Sequence, residues 1–166
     1  MAPPRDIRVV SSATEAELYC AAHICWPTQA VPELLSHHAI VAAWKGGNIV
    51  KVIHAIQTEN GHEVRKEELD LGDYIEQRKV HRYDYNPQDV YEPHEVLERA
   101  RSKLGNFEYC LYTNNCEHFV CWCKYNVNES SQVSTAKKAA AASSAVAVSS
   151  SVVTGAIVAA VVLCKK

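Results

Sequence analysis

The chain has no acidic residue after Glu129, no excess of basic residues, and no apolar run near its N-terminus. Each absence excludes something. Lys137, Lys138, Lys165 and Lys166 are four of only 17 basic residues, against 19 acidic ones, so the rest of the chain carries a net charge of about −6. An acidic body lacks the basic face needed to hold phosphates, which sets nucleic-acid binding aside. The opening stretch MAPPRDIRVVSSATEAEL has no apolar core of the signal-peptide kind, so the expected environment is cytosolic. Seven cysteines at irregular spacing (20, 25, 110, 116, 121, 123 and 164) are then read as reduced thiols rather than a disulfide framework. Asn128–Ser130 matches a glycosylation sequon, which in a cytosolic chain is a chance match. No cofactor motif is present. Cys116, His118, Cys121 and Cys123 lack a second ligand pair, and helical spacing would spread them around an axis, so no metal site is expected.

At 166 residues the chain has room for one core and an appendage. Residues 1–35 carry weak signals: Thr14 to Cys25 suits a short capped helix, and CWPTQAVPELL, with two prolines, suits a loop. HHAIVAAW (37–44) and IVKVIHAI (49–56), joined by KGGN, predict a β-hairpin, and KVHRYDY (79–85) a further strand. EPHEVLERARSKLG (92–105) predicts a helix, with Pro93 in its first turn, apolar residues at helical spacing, and Gly105 at its end. A second helix is expected from about Asn115 to Tyr125. Strands followed by helices give an α+β domain.

The tail is different. Ala139 to Leu163 is 25 residues without a charge, about 37 Å as a helix, against a bilayer core of about 30 Å. Six Ser/Thr residues interrupt it, and its most apolar part, Val152–Leu163, spans only about 18 Å. Lysines at both ends fit interfacial anchoring. The expectation is a membrane anchor, the alternative an Ala/Ser linker.

Residues 114–120 read NNCEHFV and offer a nucleophile, a carboxylate and a base in sequence. On a helix, positions i and i+2 lie about 200° apart, so His118 is a poor base for Cys116. Its expected role is structural. Cys116 in a helix's first turn faces unpaired N–H groups and the positive end of the dipole, which lower a thiol pKa and can hold an oxyanion. A lone cysteine is more often an inert buried hydrophobe. The base must come from elsewhere, and the hairpin carries His37, His38 and His54. Alternation puts His37 with Ala39 and Val41, and His38 with Ile40 and Ala42. One of the pair faces the site, and the spacing leaves open which.

NNCEHFVCWCKY followed by SSQV, the segments SHHAIVA, VIHAI and VRKEEL, and the stretch RYDYNPQDVYEPHEVLERARSKLGNFEYCLYTNNCEHF together resemble the lecithin:retinol acyltransferase family, including its H-Ras-like suppressor phospholipase/acyltransferase branch. The resemblance covers roughly residues 36–133 and the type of tail. It divides the chain into a poorly matched segment (1–35), a catalytic domain (36–133) and a C-terminal anchor (134–166). It implies a permuted papain-like fold of the NlpC type, with an antiparallel sheet packed on helices. It further implies Cys116 as nucleophile, His37 as general base and His54 as the third, orienting member. Asn115 and the Cys116 N–H become candidates for holding the oxyanion.

The implied activity is a thiol-dependent phospholipase A/acyltransferase. It would form a cysteinyl thioester from glycerophospholipids such as phosphatidylcholine and phosphatidylethanolamine. The acyl group would pass to water, a lysophospholipid or the phosphatidylethanolamine amine, at the cytoplasmic face of an intracellular membrane. Three departures stand against the family pattern. His38 occupies the place of a tryptophan, the motif histidines lie 17 apart, and the opening Pro-Gly-Asp-Leu-Ile-Glu strand is not recognisable. The rival reading is a weakly active or inactive membrane-associated scaffold of the same fold.

Overall fold

The structure is a computed structural model that describes residues 4–28, 35–59, 61–108 and 114–126. Its centre is the predicted hairpin, β3 (Ser36–Gly46) and β4 (Ile49–Thr58). The turn between them works because Gly46 and Gly47 take φ of 98° and 52°, where a side chain would be strained. β5 (Gly61–Asp70) follows β4 as a second hairpin. β1 (Asp6–Val9), β2 (His23–Pro27), β6 (His81–Asp84) and the short β7 (Gly105–Asn106) complete one antiparallel sheet, in the order β1-β6-β2-β3-β4-β5-β7. Three helices accompany it: α1 (Gly72–Glu76), α2 (Pro93–Ser102) and α3 (Cys116–Tyr125). This is the α+β class expected.

The N-terminal third departs from its reading. Thr14 to Cys25 is not a helix; a turn near Glu15–Glu17 leads into β2, which lies between β3 and β6. Backbone pairing decides this: His23 to Pro27 run antiparallel to Ile40 to Ser36, and His23, Ile24 and Cys25 also pair with β6. A strand therefore covers that side of the hairpin, although its sequence does not look like the family's opening strand. Cys25 to Pro27, read as loop, belong to it.

Each face of the sheet has its own core. Ile24, Ala39, Val41, Val50 and Val52 point to one side, where they pack with Val10, Leu18 and Ile75. Ile40, Ile53, Ala55 and Val64 point to the other, against Val96 and Ala100 of α2 and Cys116, Phe119 and Val120 of α3. α2 starts with Pro93 and a capping box between Glu92 and Glu95. It ends at Ser102, three residues before the glycine expected to stop it. Arg99 ties the two helices together: its guanidinium donates to the Trp122 carbonyl at 2.8 Å and stacks on the Tyr91 and Trp122 rings.

The expected anchor, 134–166, lies outside the described residues. Among the described residues no helix is long and apolar enough to cross a membrane.

Candidate active site

α3 begins one residue after Asn115, whose extended backbone and side-chain oxygen make it the N-cap. Asn115 Oδ1 accepts the His118 backbone N–H at 3.0 Å. The His118 ring closes the same turn: its Nδ1 lies 3.3 Å from the Asn115 backbone N and 2.8 Å from Oδ1. His118 is thus structural, as expected, and it braces the helix against its own cap. Asn115→Ala is expected to cost about 1–2 kcal/mol of stability through the lost cap, measured by chemical denaturation. It also loosens the turn that holds Cys116.

Cys116 is the first residue of α3 and is buried. Its Sγ donates to the Ser36 carbonyl at 3.9 Å, and the N–H groups of His38, Glu117 and Cys116 itself point at the sulfur. Backbone parity locates this point in the sheet. Leu35 and Val41 turn their carbonyls and amides towards β2, so Ser36 and His38 turn theirs towards β4. The β3–β4 register begins only at Ile40 opposite Ile53, while β4 itself continues to Thr58 along β5. The thiol therefore sits at a fork where β3 and β4 are unpaired.

Burial pushes the Cys116 thiol up to about 11, against the three N–H groups and with the Glu117 carboxylate adding to the rise. The expected lowering by the helix terminus is outweighed. The dipole and amides stabilise a thiolate, but removal from water costs it more. The resting residue is a thiol, so its proton must leave as the sulfur attacks.

The fork separates two imidazole pairs. His37 shares the face of Ala39 and Val41, with its ring edge-on to Trp26 at 5.0 Å. Its Nε2 lies 2.8 Å from His54 Nδ1, and His54 Nε2 lies 2.7 Å from Glu67 Oε1 on β5. His38 points to the α3 side, the side of Ile40 and Cys116. Its Nδ1 lies 2.8 Å from His23 Nε2, and His23 Nδ1 lies 2.7 Å from the Tyr85 hydroxyl. The structure thus joins His37 to His54 as a pair, and sets Cys116 beside the strand backbone that flanks His37. The thiol's hydrogen bond goes to a carbonyl rather than to a ring.

All four imidazoles are held neutral. Burial drives His37 down to about 3 and His38 to about 4; it also lowers His54 and His23, with Glu67 opposing the shift at His54. In the unfolded chain these rings take protons below about pH 6.5. Folding stability is therefore full above that pH and falls as the pH drops towards 4. The loss is about 1.4 kcal/mol per pH unit for each histidine fully excluded from protonation. Urea denaturation at pH 7 and pH 5 measures it, and equal midpoints would contradict the buried neutral rings.

Neither Glu67 nor His23 is among the site residues expected from the sequence. Glu67 needs the β4–β5 register, in which His54 faces Arg65 and Glu67 is the diagonal neighbour. His23 needs β2, which the sequence disguises.

A family model described as lecithin retinol acyltransferase matches residues 28–129. Proteins named lecithin retinol acyltransferase from Mus musculus, Bos taurus and Homo sapiens are each 50% identical to the chain over 38 residues, 23% of this chain and 16% of the relative. The matched stretch is thus a small part of those relatives' length. No solved structure matches the chain.

Proposed function

This chain belongs to the lecithin retinol acyltransferase family, and from that membership we propose that it is a thiol-dependent acyltransferase acting on glycerophospholipid esters. The observation that carries the reading is Cys116. It is the first residue of α3, with three backbone N–H groups facing its sulfur, at the fork between β3 and β4, the strands that bear His37 and His54. A helix-borne thiol laid on an antiparallel sheet is also what a permuted papain-like fold requires.

In the proposed reaction the Sγ–H proton goes to His37 as sulfur attacks the ester carbonyl. The backbone N–H groups at the start of α3 serve the oxyanion, with the Asn115 cap holding them in place. The C–O bond then breaks, the leaving lysophospholipid oxygen takes the proton from His37, and a thioester remains on Cys116. In the second half water, a lysophospholipid or the amine of phosphatidylethanolamine attacks the thioester and gives its proton to the same ring; the C–S bond breaks and the ring returns the proton to the Cys116 sulfur. Attack on an acyl ester in a bilayer fits a C-terminal membrane anchor, which is part of the proposal.

The test uses the full chain with phosphatidylcholine vesicles, with and without phosphatidylethanolamine. Released fatty acid, N-acylated lipid and an acyl group on Cys116 in the intact-protein mass are the expected products. Wild-type protein that forms none of them would leave the non-catalytic scaffold as the reading.

A further inference from the structure

The proposed reaction needs a lone pair on His37 aimed at a proton, and a neutral imidazole has only one. Which nitrogen holds it depends on the other bond the ring makes. Three hydrogen-bonded groups settle that on the His37 side of the sheet. β5 runs beside β4 with His54 opposite Arg65 and Val52 opposite Glu67, so Glu67 and His54 share a face one diagonal step apart. Glu67 Oε1 lies 2.7 Å from His54 Nε2, and the His54 side chain is only 4% exposed. A carboxylate only accepts hydrogen bonds, so His54 Nε2 carries the proton. The neutral His54 ring is then bare at Nδ1, which lies 2.8 Å from His37 Nε2 and must accept from it. His37, donating through Nε2, keeps its lone pair on Nδ1. Among the described residues that atom has no other hydrogen-bond partner.

We propose that Glu67 is a positioning residue for the acyl-transfer reaction: its carboxylate fixes the tautomers of His54 and His37 in series and leaves His37 Nδ1 as the proton acceptor. The inference rests on the functional reading above. It adds a fourth member, on β5, that touches neither substrate nor sulfur. When His37 becomes an imidazolium, its Nε2–H still donates to His54, and the Glu67 charge at the far end of the chain offsets the new positive charge. Arg65, with a guanidinium nitrogen 3.9 Å from Glu67 Oε2, sits beside that carboxylate from the same strand.

The test compares the full chain with Glu67→Gln, an isosteric change whose amide can donate to His54 Nε2 and reverse the chain. Glu68→Gln is the control. Glu68 is the next residue and pairs with Lys51 on the other side of β5. Two readouts are taken: imidazole ¹⁵N shifts at pH 7, and single-turnover formation of the acyl-thioester from phosphatidylcholine. Wild type and Glu68→Gln should show His54 and His37 protonated on Nε2 and form thioester at the same rate. Glu67→Gln should shift one or both rings towards the Nδ1–H tautomer. Its kcat should fall by about 10²-fold with KM unchanged, the size of effect expected when a base is misdirected but present. A Glu67→Gln rate equal to wild type, whatever its tautomers, overturns the proposal. If wild type forms no thioester, the functional reading has failed and the proposal falls with it; the ¹⁵N shifts, read without lipid, tell that case from a failure of Glu67 alone.

Discussion

Serine at position 116 is expected to leave the fold intact and to reduce acyl transfer by about a thousandfold or more, with no acyl group retained on the protein. The substitution replaces one small buried side chain by another, and the Ser36 carbonyl that takes the thiol proton accepts a hydroxyl proton equally well. Asn115 still caps α3, because its side-chain oxygen accepts the His118 N–H. What changes is the proposed nucleophile. Burial already holds the thiol at about 11; a hydroxyl is a far weaker acid, and the same neutral imidazole cannot draw its proton at a useful rate. The measurement is paired: thermal unfolding to show that the protein is folded, and mass spectrometry after exposure to phosphatidylcholine. Cys121→Ser is the control, since Cys121 is buried on the same helix, beyond the first turn. If Cys116→Ser and wild type release the same products at the same rate, the chemistry belongs to another group.

Much of this arrangement was legible in the sequence, because local signals and tertiary packing agree there. The Gly-Gly turn between two β-branched runs marks the hairpin, Pro93 marks the start of α2, and the helix expected from about Asn115 begins at Cys116. Other features depend on partners far away in the chain. β2 reads as the end of a helix followed by a loop, since AAHICWP has no alternation. It becomes a strand because β3 and β6 supply hydrogen bonds on both sides. The thiol's acidity was misjudged for a similar reason: a helix terminus is visible in a sequence, whereas the burial that overrides it belongs to the whole domain. Glu67 lies in a charged run, VRKEEL, that reads as a solvated face until the register sets it diagonal to His54.

The choice between His37 and His38 is where sequence and structure meet, and it yields the second large effect. Alternation already places the two rings on opposite faces, and the cores identify them: His38 on the side of α3, His37 on the side of Trp26. The face alone would favour His38 as the partner of Cys116. Bonding reverses the preference. What Cys116 meets from His38 is its backbone N–H, not its ring, and the ring is committed to His23 in a buried chain. Burial holds the His38 ring neutral, down at about 4, and the Glu117 carboxylate offsets that shift only in part. For His37 to take the sulfur's proton, as proposed, its ring must reach the sulfur through the fork where β3 and β4 are unpaired. His37→Ala is therefore expected to lower thioester formation by about 10²- to 10⁴-fold without unfolding the protein, since among the described residues the half-buried ring hydrogen-bonds only to His54. His38→Ala keeps the backbone N–H and should retain most of the rate per folded molecule. It should lose about 2–3 kcal/mol of stability, because the buried His23 Nε2 is left without its partner. Single-turnover rates and urea midpoints on both variants separate the two roles. A folded His38→Ala protein that forms no thioester, beside an active His37→Ala protein, would move the base to the α3 side of the sheet.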